Sequence, residues 1–201
     1  KNIFTSIAKI TRKLNLVVNN AGVYFASFIE NYPLDKIEHT IKINLIAPFY
    51  VTQLAIPFLK KSENPQIINI SSRLGKEKVI DKSSAYAASK AALIQFTKCC
   101  ALEFRKYKIR VNAVCPGFTN TEINIPIIKN KKYLKEISKN IPLGRIAEPQ
   151  DIANVVSFLS SNKADNNLAE YKNENRQRVN YFDLIKQDLL ASVDAQDKVC
   201  C

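Results

Sequence analysis

The sequence predicts an α/β protein built on a doubly wound parallel sheet. Short apolar, β-branched runs recur at 14–19, 66–71 and 109–114. They lack the polar alternation of a half-exposed strand, as befits strands buried on both faces. Helix-forming stretches separate them, and strand alternating with helix argues a parallel sheet covered on each side. In such sheets ligands lie beyond the carboxyl ends of the strands. Asn19, Ser72 and Pro116 all fall at those ends, so the candidate site residues converge on one crevice.

Each element has its own reason. A helix is expected at 2–13, followed by the strand at 14–19, whose Leu14, Leu16, Val17 and Val18 run into Asn19-Asn20-Ala21-Gly22. A long helix is expected at 34–60. Pro48 within it has no N–H, so the carbonyl of Asn44, four residues earlier, loses its helical partner and suits a water site. The strand at 66–71 ends in Ser71-Ser72. The helix at 84–107 is rich in Ala and Leu, and Asp81-Lys82-Ser83-Ser84 is expected to cap it. After the strand at 109–114, residues 118–142 are expected to form a lid over the site, with helices at 130–139 and 149–160. Residues 162–201 contain no glycine or proline. They read as a polar linker to about Arg176, then an amphipathic helix to about Asp194. Val179, Phe182, Ile185, Leu189, Leu190 and Val193 recur there near helical spacing. The expected organisation is therefore a catalytic part, 1–161, and a divergent tail, 162–201.

The most informative constellation is Ser72, Tyr86 and Lys90. Tyr86 and Lys90 share one helix face by their spacing. Tyr32 and Lys36 have the same spacing, with Pro33 between them and no serine-ended strand before them, so context separates the pairs. A free tyrosine titrates at about 10. An ammonium close by favours the phenolate and lowers that value. The phenol then exchanges a proton with a carbonyl or alcohol oxygen, and Ser72 donates a hydrogen bond to the same oxygen.

The surrounding segments extend the pattern. They are Leu16-Val17-Val18-Asn19-Asn20-Ala21-Gly22, Asn44 in IKINLIAPF, Ile67-Ile68-Asn69-Ile70-Ser71-Ser72, Tyr86-Ala87-Ala88-Ser89-Lys90, Ile109-Arg110-Val111-Asn112-Ala113-Val114-Cys115-Pro116-Gly117, and Ile141-Pro142-Leu143-Gly144-Arg145 before AEPQDIANVVSFLSS. In order and separation, residues 1 to about 161 resemble the short-chain dehydrogenase/reductase family. The resemblance implies a Rossmann-like fold and an NAD(P)-dependent oxidoreductase acting on a small-molecule carbonyl or secondary alcohol. It implies that Tyr86 is the acid/base and that Lys90 tunes it and binds the nicotinamide ribose. Ser72 holds the substrate oxygen, with Ser71 the weaker candidate, and the Asn44 carbonyl positions a relay water. It further implies cofactor contacts at Asn19, Gly22, Tyr86, Lys90, Pro116, Gly117, Thr119 and Thr121.

The sequence also departs from the family. No glycine precedes Gly22, so the glycine-rich fingerprint TGxxxGxG that cradles a pyrophosphate is absent from this stretch. The residue selecting NAD or NADP is absent with it. The chain has no methionine, and it starts within the helix that the resemblance places before the fourth strand. It is therefore expected to be a partial sequence or the product of a broken gene, truncated to three core strands. Weak binding of NAD and NADP by this stretch alone is expected. An alternative reading follows: a catalytically inactive remnant serving as an interaction or structural module.

Composition bounds the rest. A hydrophobic fraction of 46% is ordinary for a globular protein. No uninterrupted apolar run reaches membrane-spanning length, so no membrane partner is expected. The net charge of +12 is spread along the chain without an aromatic-rich basic stripe, so no nucleic acid partner is expected. The cysteines are Cys99-Cys100, Cys115 and Cys200-Cys201, with no zinc spacing, so no metal site is expected. Their pattern suggests a reducing compartment, and the expected localisation is cytoplasmic. His39 is the sole histidine and lies on a charged helix turn, where it reads as solvated, so a histidine-based triad is not expected. A strand at 14–19 left on the sheet edge favours association, and a homo-oligomer is expected.

Overall fold

The computed structural model describes residues 2–162, 164 and 181–182. Its elements in chain order are α1 (Asn2–Ile10), β1 (Leu16–Asn19), α2 (Leu34–Ile41), α3 (Ala47–Leu59), β2 (Gln66–Ile70), α4 (Ser84–Phe104), β3 (Arg110–Val114), α5 (Ile125–Ile128), α6 (Lys131–Lys139), α7 (Pro149–Ser160) and β4 (Tyr181–Phe182). The sheet order is β1-β2-β3-β4, and all pairs are parallel. The three core strands are those read from the sequence. The amphipathic helix expected at 177–194 meets a correction at two residues. Tyr181 and Phe182 are extended and pair with Ala113 and Val114. The rest of that helix, and the polar linker before it, lie outside the described residues.

The two faces of the sheet are packed separately, as alternation of side chains along a strand requires. Val17, Ile67 and Val111 point to one face, against Phe4 of α1, Ala55 and Leu59 of α3, and Cys100 and Phe104 of α4. Ile68, Ile70 and Val114 point to the other, against Val155 and Leu159 of α7. Helices thus cover both faces, which accounts for strands that are apolar throughout.

Residues 34–59 form one continuous helical stretch of 26 residues. By length and composition it is apolar enough to cross a membrane, a property the absence of an uninterrupted apolar run did not signal. Its buried residues are Thr40, Asn44, Pro48, Thr52, Ala55 and Leu59. They form a single stripe at spacings of three and four, directed at β1, β2 and α4. Between α2 and α3 the turn widens, and the Ala47 N–H reaches the Lys42 carbonyl five residues back. Pro48 explains the local change, since it cannot donate to the Asn44 carbonyl.

The α4 helix begins without the serine cap expected at 81–84. Ser83 spends its hydroxyl on the Ile80 carbonyl at 2.6 Å, and only its backbone carbonyl bonds to the first turn, accepting from the Ala87 N–H at 2.8 Å.

Candidate active site

The chain leaves β2 through Ser71 and Ser72, which do different work. The Ser71 N–H bonds to the Val114 carbonyl at 2.7 Å, and its hydroxyl donates to the Lys90 carbonyl at 2.8 Å. Ser71 therefore ties β2 to β3 and α4. The Ser72 hydroxyl accepts from the Leu74 N–H at 3.2 Å and lies near enough to the Tyr86 hydroxyl to influence its ionisation. The two hydroxyls that the chemistry requires are thus together at the carboxyl end of β2.

Tyr86 is held with its pKa above the ordinary tyrosine value. Burial is the main cause, and nearby Tyr24 adds to it, while the Ser72 hydroxyl opposes it. The lowering expected from Lys90 does not arise in this arrangement. The Lys90 Nζ donates to the Ile70 carbonyl at 2.8 Å and stands 5.7 Å from the Tyr86 ring centroid. Lys90 is only 3% exposed. That burial pulls its own pKa down to about 8.

Asn44 is fully buried, and its side-chain amide closes a ring of contacts around Tyr86. Its Oδ1 accepts from the Val23 N–H at 2.8 Å, and its Nδ2 donates to the Val23 carbonyl at 2.9 Å. Nδ2 also donates to the Ser89 hydroxyl at 3.0 Å, and Ser89 donates to the Tyr86 carbonyl at 2.7 Å. Tyr24, next to Val23, meets the Tyr86 ring edge-on at 5.1 Å between centroids. The loop after β1, the wide turn at Asn44 and the start of α4 are thereby locked to each other through the tyrosine.

The remaining residues marked by the sequence occupy the same end of the sheet, with different degrees of access. Asn19 turns inward: its Nδ2 donates to Asn69 Oδ1 at 2.8 Å and reaches Thr52 at 3.5 Å, and Asn69 in turn donates to Thr97 at 2.9 Å. This buried polar chain joins β1, β2, α3 and α4. Gly22 lies against the lysine, and a Cβ there would stand 3.3 Å from Lys90 Nζ and 3.5 Å from Asn44 Oδ1. The Pro116 carbonyl accepts from the Arg73 N–H at 3.2 Å. Thr119 is buried and donates to the Gly117 carbonyl at 3.2 Å, whereas Thr121 is exposed. Beyond them α5 and α6 contain no buried residue, as suits a cover that touches the body lightly. Exposed His39 stacks edge-on with Phe25, away from these groups.

Sequence reasoning passed over Ser89, Tyr24 and Arg73. Ser89 had a signal, since a serine buried in mid-helix requires a partner. Tyr24 and Arg73 had none, because their contacts join segments far apart in the chain.

Comparison with known proteins agrees with this geometry. The family model described as enoyl-(acyl carrier protein) reductase matches residues 1–167. The chain is 36% identical over 154 residues to the 2-dehydro-3-deoxy-D-gluconate 5-dehydrogenase of Bacillus subtilis, covering 77% of this chain and 60% of that one. It is 33% identical over 164 residues to a 3-oxoacyl-(acyl carrier protein) reductase of Thermotoga maritima, covering 82% and 65%. The Pseudomonas aeruginosa RhlG/NADP active-site complex superposes with a TM-score of 0.78 at 27% identity, covering 91% of this chain and 69% of that one. The fold is the Rossmann-like α/β fold of oxidoreductases. The chain belongs to the short-chain dehydrogenase/reductase family. It spans 60–65% of the length of these two curated relatives.

Proposed function

We propose that the protein is an NAD(P)-dependent oxidoreductase that interconverts a small carbonyl compound and its secondary alcohol. The observation that carries this reading is the placement of the Ser72 hydroxyl beside the Tyr86 phenol at the end of β2, with Lys90 Nζ 5.7 Å from the tyrosine ring centroid. Family membership and relatives named as dehydrogenases and reductases support it.

The residues present fit the nicotinamide end of such a cofactor. Glycine at 22 leaves open a recess beside Lys90 Nζ and Asn44 Oδ1 that a side chain would fill. Lys90 and the loop Pro116, Gly117 and Thr119 would hold that end. The nicotinamide, when bound, supplies or accepts hydride at the substrate carbon. Tyr86 holds the proton for the substrate oxygen, and its raised pKa keeps the phenol protonated at neutral pH, the state needed for reduction. Ser72 orients that oxygen by hydrogen bonding. Asn44 and Ser89 fix the helix that carries the tyrosine. The choice between NAD and NADP rests with residues other than these.

Two further proposals accompany this one. Cytoplasmic residence is supported by the unpaired thiols of Cys99, Cys100 and Cys115. Self-association is supported by the edge position of β1 among the described strands.

The test is Tyr86→Phe in the NADPH-dependent reduction of a carbonyl panel, run at NADPH concentrations high enough to offset the weak cofactor binding expected of this stretch alone. Removing only the hydroxyl should lower kcat by roughly 10²–10⁴-fold, the range for a general acid. NADPH binding, followed by its fluorescence, should stay close to that of the unaltered protein. Turnover by Tyr86→Phe at the original rate would move the proton donor elsewhere.

A further inference from the structure

Arg73 follows Ser72 directly, and its position is set from two sides. Its backbone N–H bonds to the Pro116 carbonyl at 3.2 Å. Its side chain lies along Gly117, where a Cβ would stand 3.2 Å from Arg73 Cδ and 3.6 Å from Nη1. The guanidinium therefore lies along the loop assigned to the nicotinamide end, on the residue that follows the serine assigned to the substrate oxygen.

That guanidinium is incompletely used. Its Nε is buried and has no hydrogen-bond partner. Glu77, one helical turn on, approaches Nε only to 3.8 Å. This is an ion-pair distance but too long for a hydrogen bond. The Glu77 carboxylate is 44% exposed, so water screens much of its charge. Lys90, another cation at the site, is buried and already bonded to the Ile70 carbonyl. Arg73 thus offers a cation held against the loop at Gly117, with a planar fork matched to an oxyanion.

We infer that Arg73 forms an anion subsite and that the substrate is an oxo acid, or the corresponding hydroxy acid, whose carboxylate docks there. This rests on the oxidoreductase reading above and adds a substrate class to it. The other source of an oxyanion is the cofactor diphosphate, and the experiment separates the two.

A series of small oxo acids of four to six carbons is assayed with NADPH, each beside its methyl ester. The original protein should favour the acid. Arg73→Gln should lower kcat/KM for the acid by roughly 10–100-fold, the scale of a charge-assisted hydrogen bond, mainly through KM. The ester should change by no more than a few fold, and Arg73→Lys should recover part of the loss. Equal losses on acid and ester would overturn the inference by making Arg73 a structural residue. A fall in NADPH affinity with no change in acid preference would overturn it in favour of the diphosphate. Turnover of neither acid nor ester by a protein that reduces other members of the carbonyl panel would overturn the inference; turnover of no carbonyl at all would remove the oxidoreductase reading, and calorimetric titration with the same oxo acids then decides the subsite by itself. Binding lost in Arg73→Gln supports it, and equal binding by both proteins overturns it. Should Arg73→Gln fold poorly, Glu77→Gln gives the opposite arm. Removing the competing carboxylate should tighten oxo-acid binding a few fold, and no change would count against the subsite.

Discussion

Lys90 carries its amine where burial has removed the water that favours the charged form, and its pKa falls from 10.5 to about 8. The folded chain then releases this proton before the unfolded chain does. Between pH 8 and 10.5 the unfolded state binds more protons, so this group makes stability rise with pH in that window. The buried thiols act the other way. Cys115 is pushed up to about 11 and Cys100 to about 12, both from 9, so their contributions fall as pH rises above 9. Between pH 7 and 9 the thiols contribute alike to the original protein and to Lys90→Met, so the comparison of the two isolates the lysine. Over that interval the original protein should gain about 1 kcal/mol relative to Lys90→Met, read as the difference between their urea-unfolding free energies. A difference independent of pH would mean that Lys90 titrates like an exposed lysine. The spacing of Tyr86 and Lys90 was legible in the sequence because it is a property of one helix. The direction of the amine was not, because the Ile70 carbonyl that receives it belongs to β2. The raised pKa of Tyr86 was hidden for a related reason: spacing puts the ammonium on the same helix face, but the amine turns to the Ile70 carbonyl and burial sets the direction of the shift.

At the scale of elements, the loop after β2 crosses α4 so closely that Gly75 has no room for a side chain. A Cβ there would lie 2.5 Å from the Lys90 carbonyl carbon, 2.6 Å from the Ala91 nitrogen and 2.8 Å from Lys90 Cβ. Two of these are helix backbone atoms, which cannot move aside without breaking the helix. Gly75→Ala should therefore lift the loop away from α4, carrying Ser72 and Arg73 with it. A cost of about 1–3 kcal/mol is expected, in line with overpacking of a tight contact. Catalytic efficiency should fall further than the small loss of folded protein explains. Urea unfolding and kcat/KM measured together check this, and a variant of unchanged stability would mean that the loop is not pressed onto the helix. The elements themselves were readable: β2 and β3 are apolar because both faces are covered, β1 shares their pattern at the edge, and the helix from Leu34 was signalled by its length. Two elements escaped. The Tyr181–Phe182 strand lies in a stretch whose apolar residues recur at helical spacing, and pairing with β3 overrides that local period. The serine cap of α4 failed because Ser83 found a nearer acceptor in the preceding turn.

At the scale of the whole molecule, β1 pairs only with β2 among the described strands, so its outer row of backbone groups faces away from the sheet. The uncovered face at this edge also leaves Val18 39% exposed. An apolar strand in that position is a template for pairing with another chain. Opposing it, the net charge of +12 makes two copies repel at long range. These two forces differ in their response to salt. Raising sodium chloride from about 50 mM to about 500 mM shortens the Debye length to a few ångströms and weakens the repulsion, while hydrophobic and backbone pairing persist. The 201-residue chain should therefore sediment as a mixture of monomer and larger species, and the larger species should increase with salt. Val18→Lys places a charge on the exposed edge and should shift the distribution back towards monomer at either salt concentration. A single monomeric boundary under all conditions would show that the β1 edge is covered, and association that falls with salt would show that the contact is made by charges rather than by the strand.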